Sequence, residues 1–342
     1  MSRPRRLRDR LAFPVWNAAE RRPRAPLRLL VALVAVVVAL AGGGVLAAAL
    51  ALPTPVAALL PMVAVAGATL LAARYVDRRR LADLGLRREP GWLADLAAGL
   101  ALGVLLQTGV AVVGLAAGWF RVAGTLVGTA VGAGSVLVVF LGVGVYEELF
   151  ARGLLLVNVA EGLRAAGERV AVAAALLVSS VFFGLVHAGN PGASAASTLG
   201  VALAGTFLGV GFVLTGRLSF PVGVHVSWNA AQGLLYGFPV SGLGVDAAVV
   251  DLEPTGPTLV TGGSFGPEAG LLGAGAVVVG TAATVAWVRV RGDGGLGTRF
   301  DPRVATPTLR WRDGEGRGDA GEHERAGDGR GKRDDDAGRG TE

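Results

Sequence analysis

Residues 136–157, VLVVFLGVGVYEELFARGLLLV, form a run of Val, Leu, Gly, Phe and Ala broken only by Tyr146-Glu147-Glu148 and Arg152. An apolar run of about 20 residues matches the hydrocarbon thickness of a bilayer when helical. Inside lipid each charge costs about 2.5–3.5 kcal/mol on insertion scales unless it is paired or solvated. The stretch therefore reads as a membrane helix whose three charges need a reason.

The rest of the chain repeats the apolar part of this pattern. Of its 342 residues 52% are hydrophobic, and the mean hydropathy is +0.55. Further apolar spans are expected at about 27–50, 56–73, 93–118, 170–187, 195–215, 220–238 and 268–288. With the opening stretch they predict an all-α, polytopic bundle of about eight transmembrane helices.

Arginine sets the topology. It marks the segment before the first span and the connections after the second (Arg74, Arg78, Arg79, Arg80, Arg87, Arg88), fourth (Arg164, Arg169), sixth (Arg217) and eighth (Arg289, Arg291). The intervening connections are poor in arginine, and 239–267 carries only Asp246, Asp251 and Glu253. Alternation of this kind predicts a multi-pass plasma-membrane protein with both termini cytoplasmic. The expected organisation is a basic cytoplasmic segment, 1–26, without signal-peptide features. An eight-span membrane domain, 27–291, follows, and then a Gly-, Asp-, Glu- and Arg-rich tail, 292–342, too poor in large apolar residues to fold alone. A net charge of +6 placed beside apolar spans argues for the lipid bilayer and against nucleic acid as partner. The chain has no cysteine, which excludes thiolate metal sites and a Cys nucleophile.

Few strongly polar residues fall within the spans. Glu148 and Arg152 are four apart and share a helix face, where they pair. Glu147 is then left without a local partner, as befits a general base. The same three charges also suit a structural knot between helices. His187 closes span five in Phe183-Gly184-Leu185-Val186-His187, before the uncharged turn Gly189-Asn190-Pro191-Gly192, and serves equally as a helix cap. His225 and Asn229 lie one turn apart on span seven and present an imidazole and a carboxamide to one side. They suit stabilisation of an oxyanion, or interhelical hydrogen bonding. Gln107 and Gln232 are weaker candidates.

Taken in order, Glu-Glu-x-x-x-Arg, Phe-x-x-x-His and His-x-x-x-Asn on three helices resemble the intramembrane CAAX-protease and bacteriocin-processing (Abi) family. The resemblance runs from about Leu84 to Gln232, within a protease-like core of about 84–238, and includes Asp83-Leu84-Gly85-Leu86-Arg87-Arg88. It implies an endopeptidase acting on a prenylated or membrane-tethered protein. Glu147 and His187 would activate water, His225 and Asn229 would stabilise the oxyanion, and Glu148 with Arg152 would support the site. Glu147, His187 and His225 also have the composition of a zinc site with one open position, so a zinc-dependent version stands beside the metal-free one. A non-catalytic scaffold or immunity-type protein is the competing class, and a small-molecule transporter ranks last.

One difficulty follows from straight spans rising about 1.5 Å per residue. Glu147 then falls near mid-membrane, His187 near the outer end of span five and His225 near the inner end of span seven. Convergence requires tilted or shortened helices around a cavity, with the 189–192 turn inside the membrane.

Overall fold

The computed structural model of the chain describes residues 15–18 and 20–291. The expected tail, 292–342, and most of the basic N-terminal segment lie outside the described residues. The first short hairpin pairs β1 (Trp16–Asn17) with β2 (Arg22–Pro23). Helices α1 (Ala25–Ala49) and α2 (Thr54–Leu71) follow, α2 running on as a π turn over Ala72–Val76. Next come α3 (Trp92–Ala116), β3 (Phe120–Val127) and α4 (Ala130–Glu148), which continues as a π segment (Leu149–Leu156) into α5 (Val157–Gly162). After α6 (Glu168–Val186) and α7 (Ala195–Thr215) comes α8 (Ser219–Ala230), extended by a π turn over Ala231–Leu235. Strand β4 (Ala248–Pro254) pairs antiparallel with β3, and α9 (Thr258–Thr261) and α10 (Leu271–Arg291) complete the described chain.

Among the described residues seven helices are long and apolar enough to cross a membrane. The fold is thus an all-α polytopic membrane bundle. The expected seventh span, 220–238, is the exception, because α8 has 12 residues and its π extension five. It still crosses the bundle. Its start is tied to the loop after α2, with Leu218 N–H donating to Gly85 O at 3.0 Å, while its far end meets β4 through Leu252 N–H to Tyr236 O, also 3.0 Å. Ten of the 12 residues of α8 are buried. A helix covered by protein has no hydrocarbon thickness to match and can hold polar residues that lipid would penalise.

Glycine lets α8 be covered so closely. On α3, Gly99 and Gly103 form a Gly-x-x-x-Gly face; a Cβ at Gly103 would sit 2.1 Å from Ser227 Oγ and 2.7 Å from Trp228 N. On α4, a Cβ at Gly144 would lie 2.5 Å from Val226 Cγ2. These contacts bring α8 against both α3 and the carboxylate-bearing end of α4.

The arginine-bearing connections gather at one end. Arg22, Arg28 and Arg79 are buried there with Asp77, Asn158 and Glu161. Arg28 Nη2 lies 3.1 Å from Glu161 Oε2, Arg79 Nε lies 3.2 Å from Asp77 Oδ2, and Arg22 reaches Glu161. Nearby Asp95 accepts from Arg217 at 3.0 Å, Arg291 at 2.6 Å and Trp287 Nε1 at 3.1 Å. The stretch 158–169, which carries the arginines after the fourth span, is in part helix, and its Asn158 and Glu161 are core groups that neutralise buried arginines. The β3–β4 ribbon occupies the opposite end.

Candidate active site

The site is built where α4 gives way to its π segment. All eight residues from Leu149 to Leu156 are buried, and a π segment widens the helix locally, a feature frequent at functional sites. Ser179 on α6 donates to Ala151 O at 2.8 Å, holding α6 against this segment. Arg152 remains four residues from Glu148, and its Nη1 donates to Glu148 Oε1 at 2.8 Å with both side chains fully buried. Arg152 Nη2 donates to Gly205 O at 2.9 Å, and the guanidinium stands 4.4 Å above the Phe183 ring.

The two histidines reach the glutamates from the end of α6 and from α8. His187 Nδ1 lies 2.7 Å from Phe183 O; a carbonyl can only accept, so Nδ1 carries the proton and the neutral ring keeps a lone pair on Nε2. That Nε2 faces Glu147 Oε2 at 3.9 Å. His225 Nδ1 lies 2.9 Å from Glu148 Oε1, and its Nε2 stands 4.0 Å from Glu147 Oε2. Phe183 packs against both imidazoles, with ring centroids 4.9 Å from His187 and 5.9 Å from His225. The aromatic residue of Phe-x-x-x-His is therefore a wall of the site as well as the source of the carbonyl that orients His187.

Glu147 Oε1 accepts from Tyr146 OH at 2.9 Å, while Oε2 is buried without a protein partner. A buried acceptor left bare between two imidazoles is costly unless something donates to it. This oxygen is the centre of the site. It faces a cavity of about 730 Å³ also lined by His187, His225, Asn229, Asn190, Ser241 and Glu268, and, toward α1 and α2, by apolar residues such as Val36, Leu40 and Met62.

The structure thus brings Glu147, Glu148, Arg152, His187 and His225 into one cluster and sets Asn229 on the same cavity. Their depths converge because α8 is short and buried and because the turn after α6 folds back into the bundle. Sequence reading missed Tyr146, the paired Gly99 and Gly103, and above all Glu268, taken only as the start of the last span. Burial pushes the Glu268 carboxyl up to about 7, against the hydrogen bonds it accepts from backbone groups, Ser241 and Gln232.

Zinc fits this arrangement poorly. Ligands bonded at 2.0–2.1 Å in a tetrahedron are about 3.4 Å apart, whereas Glu147 Oε2 is 3.9 and 4.0 Å from the two Nε2 atoms. Among the described residues no group of three His, Asp or Glu side chains is arranged to hold a metal ion. Separations near 4 Å suit groups bridged by one water, with hydrogen bonds of about 2.8 Å on each side.

Residues 129–231 match the family described as Type II CAAX prenyl endopeptidase Rce1-like. That segment is similar to the CAAX protease family. It spans α4 to the start of the π turn after α8, and so contains all three motifs and every residue of the Glu147 cluster. No curated protein and no solved structure matches the chain.

Proposed function

We propose that the chain is an intramembrane endopeptidase that uses water as its nucleophile against a peptide bond of a membrane-tethered, prenylated protein. The observation that carries the reading is the bare Glu147 Oε2 facing the lone pair of His187 Nε2 across 3.9 Å at the wall of a deep cavity. Two acceptors at this spacing suit one water donating to both, which leaves the water's oxygen free to attack a carbonyl carbon.

As the C–O bond forms, Glu147 takes the water's proton and the carbonyl oxygen becomes an oxyanion. His225 Nε2–H and the Asn229 carboxamide, one turn apart, serve as its donors. Since His225 Nδ1–H is already spent on Glu148, donation from Nε2 makes the ring an imidazolium. Two carboxylates, one guanidinium and one imidazolium give a buried cluster without net charge. When the C–N bond breaks, Glu147 passes its proton to the leaving amine, and the products are a carboxylic acid and an amine. The apolar reach of the cavity toward α1 and α2 supports a lipid-modified substrate. The positive-inside rule puts the arginine end, and with it both ends of the described chain, in the cytoplasm, with the plasma membrane as the proposed location.

The test is cleavage of a prenylated or lipid-tethered peptide by purified protein in detergent, read by mass spectrometry. Glu147→Ala, His187→Ala or His225→Ala should each abolish it, and full activity in all three overturns the reading. Activity that survives exhaustive chelation, with no metal in elemental analysis, separates the water mechanism from the zinc version.

A further inference from the structure

Outside the catalytic cluster, the most heavily hydrogen-bonded acid on the cavity wall is Glu268. Its Oε1 accepts from Ser241 N at 2.5 Å and Ser241 Oγ at 3.2 Å, and its Oε2 accepts from Gln232 Nε2 at 2.5 Å. The carboxylate is buried, and among the described residues no cation bonds to it. Of the helices packed on it, α7 and α9 carry no charged residue, and those of α10 are Arg289 and Arg291 at its far end.

Each partner leads to one half of the catalytic site. Gln232 lies three residues beyond Asn229 and seven beyond His225; its Nε2 also donates to Pro239 O at 2.6 Å, and its Oε1 accepts from Gln107 on α3 at 2.7 Å. Ser241 sits at φ +49°, a left-handed conformation that a non-glycine residue adopts only when its surroundings impose it. It is held there from three directions. Glu268 takes its N–H and hydroxyl, its carbonyl accepts from Asn190 Nδ2 at 2.8 Å, and the next amide, Gly242 N–H, donates to Phe265 O at 2.7 Å. Asn190 in turn donates its backbone N–H to His187 O at 3.1 Å, and Phe265 shares a buried apolar cluster with Phe183, whose carbonyl orients the His187 ring.

We propose that Glu268 is a positioning residue that clamps the His187 turn to the His225–Asn229 helix through Ser241, Asn190 and Gln232, and so fixes the spacing of the two imidazoles about Glu147. The part of this that concerns rate rests on the endopeptidase reading above; the geometric part does not. A carboxylate suits the role because it accepts from all three donors at once, which neither an amide nor a hydroxyl does. With Gln at 268 one nitrogen faces a donor, and Ser241 or Gln232 is released.

The experiment uses the full chain in micelles with ¹⁵N-labelled histidine, which gives signals only from His187, His225 and His323. In the wild type, His187 should show the neutral Nδ1–H tautomer. In Glu268→Gln the His187 ring nitrogens should shift toward a tautomer mixture, while His323 stays fixed. Asn190→Ala, which cuts the same chain nearer the site, should shift His187 in the same sense and decides the matter if Glu268→Gln does not fold. Unchanged His187 signals in a folded variant overturn the proposal, whatever the enzyme assay shows. If the wild type cleaves the tethered peptide, Glu268→Gln should lower kcat about tenfold or more with KM within about twofold, since displacing a catalytic group by 1 Å can cost about a hundredfold. A raised KM with kcat intact would also overturn it. A wild type that gives the expected His187 tautomer but no cleavage defeats the endopeptidase reading and leaves the clamp standing.

Discussion

Arg152→Met removes one cation from the middle of the site and keeps most of the side chain's length. In the structure that cation has three roles: it pairs with Glu148 at 2.8 Å, satisfies Gly205 O at 2.9 Å and lies 4.4 Å above the Phe183 ring. Neither member of the ion pair has any exposed surface. The loss is therefore not that of a surface salt bridge, worth at most about 1 kcal/mol, but that of one partner of a buried pair, about 3–5 kcal/mol, because two carboxylates then face a single imidazolium in a dry site. Unfolding by SDS in mixed micelles, followed by circular dichroism, should show a destabilisation of that size. Glu148→Gln in the Arg152→Met background removes the excess negative charge. The double variant should recover more than about 1 kcal/mol relative to the sum of the single effects, as residues in direct contact do. A single variant within about 1 kcal/mol of wild type, or strict additivity, would refute the claim that this pair is desolvated and coupled.

Other outcomes follow from the same geometry. Asn229→Ala should reduce kcat by about 10²–10³ while KM changes little, the usual effect of removing one oxyanion donor, and steady-state kinetics on the tethered peptide would expose an error through a change confined to KM. Gly103→Leu places side-chain atoms where Ser227 Oγ and Trp228 N already stand, 2.1 and 2.7 Å from a Cβ. It should cost about 1–3 kcal/mol by overpacking and lower activity by pushing α8 off α3, whereas Leu at Gly109, which has open space, should do neither. Burial raises Glu268 from 4.5 to about 7. A carboxyl shifted this way gives stability that is fully present below about pH 4.5 and is lost as the pH rises to about 7, up to roughly 3 kcal/mol. Glu268→Gln should flatten that part of the stability curve, and an unchanged slope would show that the group is not buried as described.

The bundle was legible because lipid imposes simple requirements. Apolar runs near 20 residues and arginine on alternate connections pointed to eight crossings, and the Glu148–Arg152 pair followed from four-residue spacing on a helix. What one-dimensional reading lost was depth. It treated 220–238 as a full span and 136–157 as regular helix, so the predicted heights of Glu147, His187 and His225 did not agree. The remedy lay in tertiary facts without a local signature. A π segment begins directly after Glu148, and α8 is short because protein rather than lipid surrounds it. The Gly99-x-x-x-Gly103 face was visible as a spacing, but its partner is more than a hundred residues away. Glu268 looked like a span boundary since its partners, Ser241 and Gln232, are 27 and 36 residues distant and uncharged.

Glu268 also shows why stability and geometry need not be improved by the same residue. An anion buried without a cation weakens the fold above about pH 7, and an isosteric amide would remove that cost. The amide cannot accept from Ser241 N–H, Ser241 Oγ and Gln232 Nε2 together, so it would release one of the two elements that carry the histidines. Glu268→Gln is then expected to be more resistant to unfolding than wild type at pH 8 and yet slower in catalysis. Two opposed changes from one atom's replacement are what a positioning role predicts. A residue that served packing alone would move both quantities in the same direction, so measuring the pair at a single pH distinguishes the two roles.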